Sequence, residues 1–302
     1  MSITARRYTD EDLPPLQVAL GSWIREAGDC GYCHVGEIPQ RIYQGIHDLP
    51  PVAELVQLWE EDSDIVGFAL NLRFENAFEV YTSPAYRGTD VERIMLQAAA
   101  ESTLRLIQQA GRDQTSVIID VWDCDTIRRQ LLNQLGFEAY RVWGYLTERS
   151  LAEPFPIPQL AEGFAIRAAT MDDFEQLAAV RNASFGSDLR SEDYRDGVMG
   201  KPGYLPEREI VVVAPEGRFA AFTMTWLAEL NRVGLFEPVG THPEFRRRGL
   251  GRALMLYAMR KMKRLGMETV MVGHDATNLP ATALYRSLGF RHKYTTLGYK
   301  KG

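Results

Sequence analysis

The chain matches itself once, and this repeat constrains its fold more than any other feature. Ala5-Arg6-Arg7-Tyr8-Thr9-Asp10-Glu11-Asp12-Leu13 lines up with Ile166-Arg167-Ala168-Ala169-Thr170-Met171-Asp172-Asp173-Phe174. Pro84-Ala85-Tyr86-Arg87 lines up with Pro243-Glu244-Phe245-Arg246, and Leu135-Gly136-Phe137 with Leu288-Gly289-Phe290. The offsets are 161, 159 and 153 residues, so the order is kept while loop lengths drift, as in a duplicated unit. A chain of 302 residues then divides into two similar domains, each long enough to bury its own core. Between the copies, Glu153-Pro154-Phe155-Pro156-Ile157-Pro158 reads as a stiff extended linker. The expected division is residues 1–150, a linker over 151–163, and residues 164–302.

The second copy shows the element order more clearly. Phe164–Arg167 reads as a strand, followed by a Thr170 N-cap with acids in the first helical turn and a helix over Met171–Val180. Thr9 has the corresponding place in the first copy. Ser184–Arg195 is expected to hold a second short helix. Ile210–Ala214, Phe219–Leu227 and Gly234–Thr241 read as strands. Apolar Leu250, Leu254, Tyr257, Ala258 and Leu265 form one face of a helix that Gly266 stops. Strand Thr269–Val272, helix Pro280–Leu288 and strand Phe290–Tyr299 complete the copy. Hairpins mixed with helical crossovers indicate an α/β fold in which each domain holds a mixed, mostly antiparallel sheet flanked by helices.

Composition narrows the class. Hydrophobic residues at 45% and charged residues at 25% fit a globular protein and exclude disorder or fibres. No apolar run is long enough for a membrane span, and the N-terminus lacks an export signal core. Three cysteines cannot build a disulfide framework, so a cytoplasmic, reducing location is expected. The net charge of −6 gives no support for nucleic-acid binding. Residues 1–150 hold 13 Arg, no Lys and 23 Asp or Glu, or −10, leaving +4 for the remainder. That asymmetry fits an anionic ligand handled by the second half, and equally fits drift in surface composition.

The segment Val239-Gly240-Thr241-His242-Pro243-Glu244-Phe245-Arg246-Arg247-Arg248-Gly249-Leu250-Gly251-Arg252 sets a basic, glycine-bearing turn between a strand and a long helix. Free N–H groups and the positive end of a helix dipole bind phosphate, and bare glycines let it approach the backbone. The glycine spacing fits neither a dinucleotide fingerprint nor a P-loop. Together with Asn278-Leu279-Pro280-Ala281-Thr282-Ala283-Leu284-Tyr285-Arg286-Ser287-Leu288-Gly289-Phe290, the pattern Arg246-x-x-Gly249-x-Gly251 resembles the GNAT (Gcn5-related N-acetyltransferase) superfamily over residues 164–302.

The resemblance implies acetyl-CoA as co-substrate, with no metal. Its pantetheine arm would pair with the backbone of Val239 and Thr241, and its pyrophosphate would rest on the amides of residues 247–252. Asn278 would touch the arm, and Tyr285 would protonate the departing thiolate. Glu237 is the candidate base: by strand parity it faces the same side as Val239 and Thr241, and Pro238 suits a bulge where substrate enters. His242 and His274 are runners-up. The tandem arrangement resembles that of the mycothiol synthase family in architecture, although Leu235 stands where a base glutamate is expected there.

The first copy departs from the motif. Asp90 and Glu92 replace Gly249 and Gly251, Asp125 replaces Asn278, and Leu132 replaces Tyr285. Two carboxylates at the phosphate position would repel it, so this copy is expected to keep the fold without the chemistry. Cys30-Gly31-Tyr32-Cys33-His34 has the spacing of a covalent haem site. It also fits half a redox or zinc site that could recruit Cys124 or His47, or a loop shaping the acceptor site. The expected function is acetyl transfer to a primary amine by direct attack in a ternary complex. The acceptor is a small molecule, with a protein or peptide amine as a variant; neither nucleic acid nor membrane is a partner, and the protein is a monomer or homodimer. The alternative is a non-catalytic acyl-CoA-binding sensor.

Overall fold

A computed structural model describes residues 3–43, 50–73 and 75–302. The first half contributes strands β1 (Thr4–Arg7), β2 (Val56–Glu61), β3 (Asp64–Arg73), β4 (Ala77–Thr82), β5 (Val117–Trp122) and β6 (Glu138–Ser150). Its helices are α1 (Leu13–Ala27), α2 (Ile38–Tyr43), α3 (Val52–Leu55), α4 (Asp90–Gln109) and α5 (Thr126–Gln134). The second half contributes β7 (Ala165–Ala168), β8 (Glu209–Val213), β9 (Phe219–Ala228), β10 (Val233–Thr241), β11 (Thr269–Asp275) and β12 (Arg291–Lys301). Its helices are α6 (Phe174–Phe185), α7 (Ser191–Tyr194), α8 (Leu250–Arg264) and α9 (Leu279–Ser287). Leu265, expected on the buried face of α8, lies just past its end and is exposed.

The repeat is visible in atomic detail. Thr9 with Asp12, and Thr170 with Asp173, each close a capping box at the first helical turn. Each aspartate also pairs with an arginine of the preceding strand, Arg6 at 2.7 Å and Arg167 at 2.6 Å. Such conserved local chemistry at corresponding positions pins the entry of both chains into their first helices.

The two halves share one sheet. Its order is β1-β2-β3-β4-β5-β12-β6-β11-β10-β9-β8-β7. The last strand of each half crosses to the other: β6 pairs with β11, β12 pairs with β5, and β6 and β12 pair with each other. The exchange covers the sheet edge each half would otherwise expose, leaving only the four-residue strands β1 and β7 as edges. The linker is fastened too, since Arg149 stacks 5.2 Å from the Phe155 ring and donates to the Pro154 carbonyl at 2.7 Å.

One expectation is overturned. Cys30 and Cys124 are joined as a disulfide, with Cα atoms 6.2 Å apart and 94 residues between them in sequence. Two of three cysteines thus form a crosslink that the count alone did not suggest, and neither is left as a haem or zinc ligand. Cys33 is free and buried, and His47 lies outside the described residues.

Candidate active site

The site grows from a break in pairing. Parallel strands β10 and β11 are in register from Val233↔Thr269 to Phe236↔Val272. Beyond that point β10 follows β9 and β11 follows β6, so the two strands splay and leave a slot. On the β10 side the register to β9 slips between Phe236 and Val239, which is the bulge expected around Pro238. Its freed carbonyls are caught by side chains. Trp226 Nε1 donates to the Glu237 carbonyl at 2.7 Å, and Thr223 Oγ1 to that of Pro238 at 2.9 Å.

The bulge corrects the parity reading of Glu237. One extra residue reverses the alternation, so Phe236 and Val239 both pack into the core beneath α8, while Leu235 joins a cluster with Met224, Trp226 and Met271. Glu237 goes with Leu235: both line a cavity on the face away from α8. Its side chain therefore does not share the side of Val239 and Thr241. Beyond the bulge, His242 N–H donates to the Ala220 carbonyl. Antiparallel alternation then turns the backbone groups of Gly240 towards β9 and those of Val239 and Thr241 into the slot. The Thr241 carbonyl is within reach of Arg246 Nε at 3.2 Å.

Past Thr241 the chain enters α8 through a cradle of unpartnered backbone amides. Arg247 and Gly249 both take left-handed backbone, with φ of 61° and 74°. Gly249 caps the helix without a side-chain bond, and among the described residues nothing accepts from the N–H groups of 247–252. A Cβ on Gly251 would come within 3.2 Å of Thr241 Oγ1, so the bare backbone is closest there. Arg252 is tied to Ser287 and Arg248 lies over the Phe245 ring, which leaves the amides facing outward.

Across the slot, Asn278 Oδ1 caps α9 by accepting from Ala281 N–H at 3.1 Å, so its oxygen is committed locally. Tyr285 is buried one helical face away, 5.6 Å from the His274 ring and 6.0 Å from that of Phe290. Its hydroxyl has no protein partner among the described residues. Burial, reinforced by the charge of Glu237, pushes it well above the usual tyrosine range, so it holds its proton at neutral pH. Of the two histidines, His242 caps the turn before α8 and His274 packs on Tyr285.

The opposite face holds a cavity of about 720 Å³ lined mostly by the first half, with Arg41, Glu79 and Asp120 in its walls and Glu237 and Arg181 reaching it from the second. Except for Glu237, these groups were not singled out in the sequence, because they lie on separate elements with no motif between them. Arg41 donates to Glu79 at 2.6 Å and pairs with Glu37 at 3.0 Å. Although desolvated, Glu79 is held below the usual range by Arg41 and Arg73. The Glu237 carboxylate has no hydrogen-bond partner among the described residues, and desolvation with the neighbouring Glu37 raises it to about 7. Asp120 is likewise raised to about 7, by desolvation and Glu79. Carboxylates with such values hold or release a proton near neutrality.

In the first half the corresponding cradle is filled from within. Glu92 is fully buried, accepts from the Gly88 N–H and from Arg128 Nε at 2.7 Å, and lies 3.3 Å from Arg87. Asp90 points outward to Arg93. The structure thus differs from two exposed, repelling carboxylates: one of them, neutralised by two arginines, is itself bound to the turn's backbone amide. Asp125 caps α5 as Asn278 caps α9, and Leu132 is buried at the position of Tyr285.

The chain matches the acetyltransferase (GNAT) family model over residues 174–290. It is 30% identical over 239 residues to a mycothiol acetyltransferase of Salinispora arenicola, covering 74% of this chain and 72% of the relative. A mycothiol acetyltransferase of Clavibacter michiganensis is 26% identical over 92% of this chain and 90% of its own length. Among solved structures, a tandem GNAT protein from the clavulanic acid biosynthesis pathway superposes with a TM-score of 0.69 at 14% identity, over 99% of this chain and 98% of that one. A GCN5-related N-acetyltransferase from Sphaerobacter thermophilus gives 0.67 at 20% identity, over 99% and 95%. No helix among the described residues is long and apolar enough to cross a membrane. The chain belongs to the GNAT acetyltransferase family, as a tandem member, and is an acyltransferase.

Proposed function

We propose that the chain transfers the acetyl group of acetyl-CoA to a primary amine of a small molecule, with chemistry confined to the domain spanning residues 164–302. The observation that carries this reading is the pairing of a free amide cradle at 247–252 with two proton-handling groups, Glu237 and Tyr285, on opposite sides of one slot. Pyrophosphate rests on the cradle, aided by Arg246, Arg247, Arg248 and Arg252, with Gly249, Leu250 and Gly251 supplying close backbone. The pantetheine arm runs along Val239, Gly240 and Thr241 and past Asn278, which carries the thioester into the slot. The amine enters from the large cavity on the far face.

The reaction follows from the geometry. Glu237 takes a proton from the ammonium, directly or through water, and the neutral amine attacks the thioester carbonyl. The new C–N bond forms, the C–S bond breaks, and Tyr285 donates its proton to the leaving thiolate; the second proton that the nitrogen sheds on becoming an amide passes through water to the Tyr285 phenolate, and Glu237 returns its own proton to solvent. Burial suits both roles, since it raises Glu237 towards working pH and keeps Tyr285 protonated. The relatives' names, mycothiol acetyltransferase, support a small-molecule acceptor.

The pH profile tests the base. Because Glu237 must be ionised to act, kcat/KM is expected to rise through about pH 7, a value set against Glu37, Arg41 and Arg181 around it. Glu237→Gln should lower kcat/KM by about 10²-fold or more and remove this limb, whereas Asp120→Asn should retain it. A limb that survives in Glu237→Gln assigns the base elsewhere.

A further inference from the structure

A second cavity of about 120 Å³ adjoins the large one and shares Glu37, Arg41, Trp122 and Glu237 with it. It lies where the Cys33–Val35 segment meets β10 and β11, beside the start of the slot. Leu235, Met271 and Leu146 make much of its wall apolar. Its unpartnered polar atoms are acceptors apart from Arg41 Nε, which belongs to a guanidinium already shared by Glu37 and Glu79. His34 is 7% exposed; its Nε2 donates to the Val233 carbonyl at 3.0 Å, which leaves Nδ1 a lone-pair acceptor, buried and unpartnered. Burial lowers this histidine to about 4, so it stays neutral. Asn231 donates from Nδ2 to the Gly21 carbonyl at 3.0 Å, and its Oδ1 is also buried without a partner. The Glu237 carboxylate is unpartnered as well.

Apart from Arg41 Nε, the donors around this cavity are engaged. Arg41 is matched to Glu37 and Glu79, Tyr294 donates to Asp29 at 2.8 Å, and Tyr32 donates to the Thr82 carbonyl at 2.9 Å. A buried acceptor left without a donor loses the hydrogen bond it made to water, so a ligand that brings donors is favoured here. One that brings a carboxylate meets Glu237, Glu37 and Asp29. The volume equals that of about four waters, room for a short head while the remainder of a ligand extends into the larger cavity.

We propose that this cavity is the acceptor subsite and selects a vicinal amino alcohol, with the amine at Glu237 and the neighbouring hydroxyl donating to His34 Nδ1. The assignment rests on the acetyl-transfer reading and adds the acceptor's chemistry to it: a primary amine beside a hydroxyl, without an adjacent carboxylate. His34 is then a specificity-determining residue.

The test compares 2-aminoethanol with propylamine, which has the same number of non-hydrogen atoms, on the full chain saturated with acetyl-CoA. Wild type should favour 2-aminoethanol in kcat/KM by about tenfold or more, since a site built to bind a hydroxyl rejects the analogue lacking it. In His34→Leu the ratio should fall to within about twofold of unity, and His34→Gln, which keeps an acceptor, should restore part of it. Unchanged acetyl-CoA affinity verifies that each variant is folded. Equal rates in wild type, or an undiminished ratio in His34→Leu, would overturn the assignment. Binding of both amines is followed in parallel by ligand-detected NMR. A His34-dependent preference in binding without acetylation upholds the subsite and refutes the acetyl-transfer reading; neither binding nor acetylation refutes both.

Discussion

Replacing Tyr285 with Phe is expected to lower kcat by about a hundredfold or more while leaving the affinity for acetyl-CoA unchanged. The substitution removes one hydroxyl that makes no protein hydrogen bond and keeps a ring packed between His274 and Phe290. The fold therefore loses little, and the loss falls on protonation of the thiolate. Steady-state rates with calorimetric binding of acetyl-CoA separate the two effects. A full-rate Phe variant would mean that solvent or another group supplies the proton.

Gly251→Asp should abolish acetyl-CoA binding, through a loss of about a thousandfold or more in affinity. It imitates the first half, where a carboxylate already occupies the corresponding cradle. A like charge set against pyrophosphate costs several kcal/mol, and each 1.4 kcal/mol is tenfold in affinity. Gly251 is the better position for this test because Gly249 also has a left-handed backbone, at φ 74°, where any side chain strains the turn. Gly251→Ala adds only a methyl near Thr241 Oγ1 and should weaken binding modestly. Equal affinity in the Asp and Ala variants would show that phosphate does not sit on these amides.

Much of this was legible because it is local. Thr9 and Thr170 announced their capping boxes, Pro238 its bulge, and Arg246 to Gly251 the open helix start. What was hidden depends on long-range placement. The β6 and β12 strands carry ordinary strand patterns, and nothing in either says that its partner lies in the other copy. The bulge is local, but its consequence is not: one inserted residue turns Glu237 to the face away from α8 while Val239 and Thr241 keep the other. Cys30 and Cys33 form a familiar local spacing that suggests Cys124 as a shared metal ligand, whereas Cys124 is the disulfide partner of Cys30. In the first copy, Glu92 was read as a repelling charge because Arg128, which neutralises it, comes from a helix 36 residues away. The large cavity draws Arg41, Glu79, Asp120 and Arg181 from four elements of both halves, so no stretch of sequence displays it.

The asymmetry between the two cradles is tested most directly by a crystal structure of the chain soaked with coenzyme A. The expected density places one molecule per chain, its pyrophosphate on the amides of 247–252 and its arm between β10 and β11, with Glu92 still bound to Gly88 and Arg128. Nucleotide lodged at Gly88 with Glu92 displaced, and none beside Gly249, would contradict it.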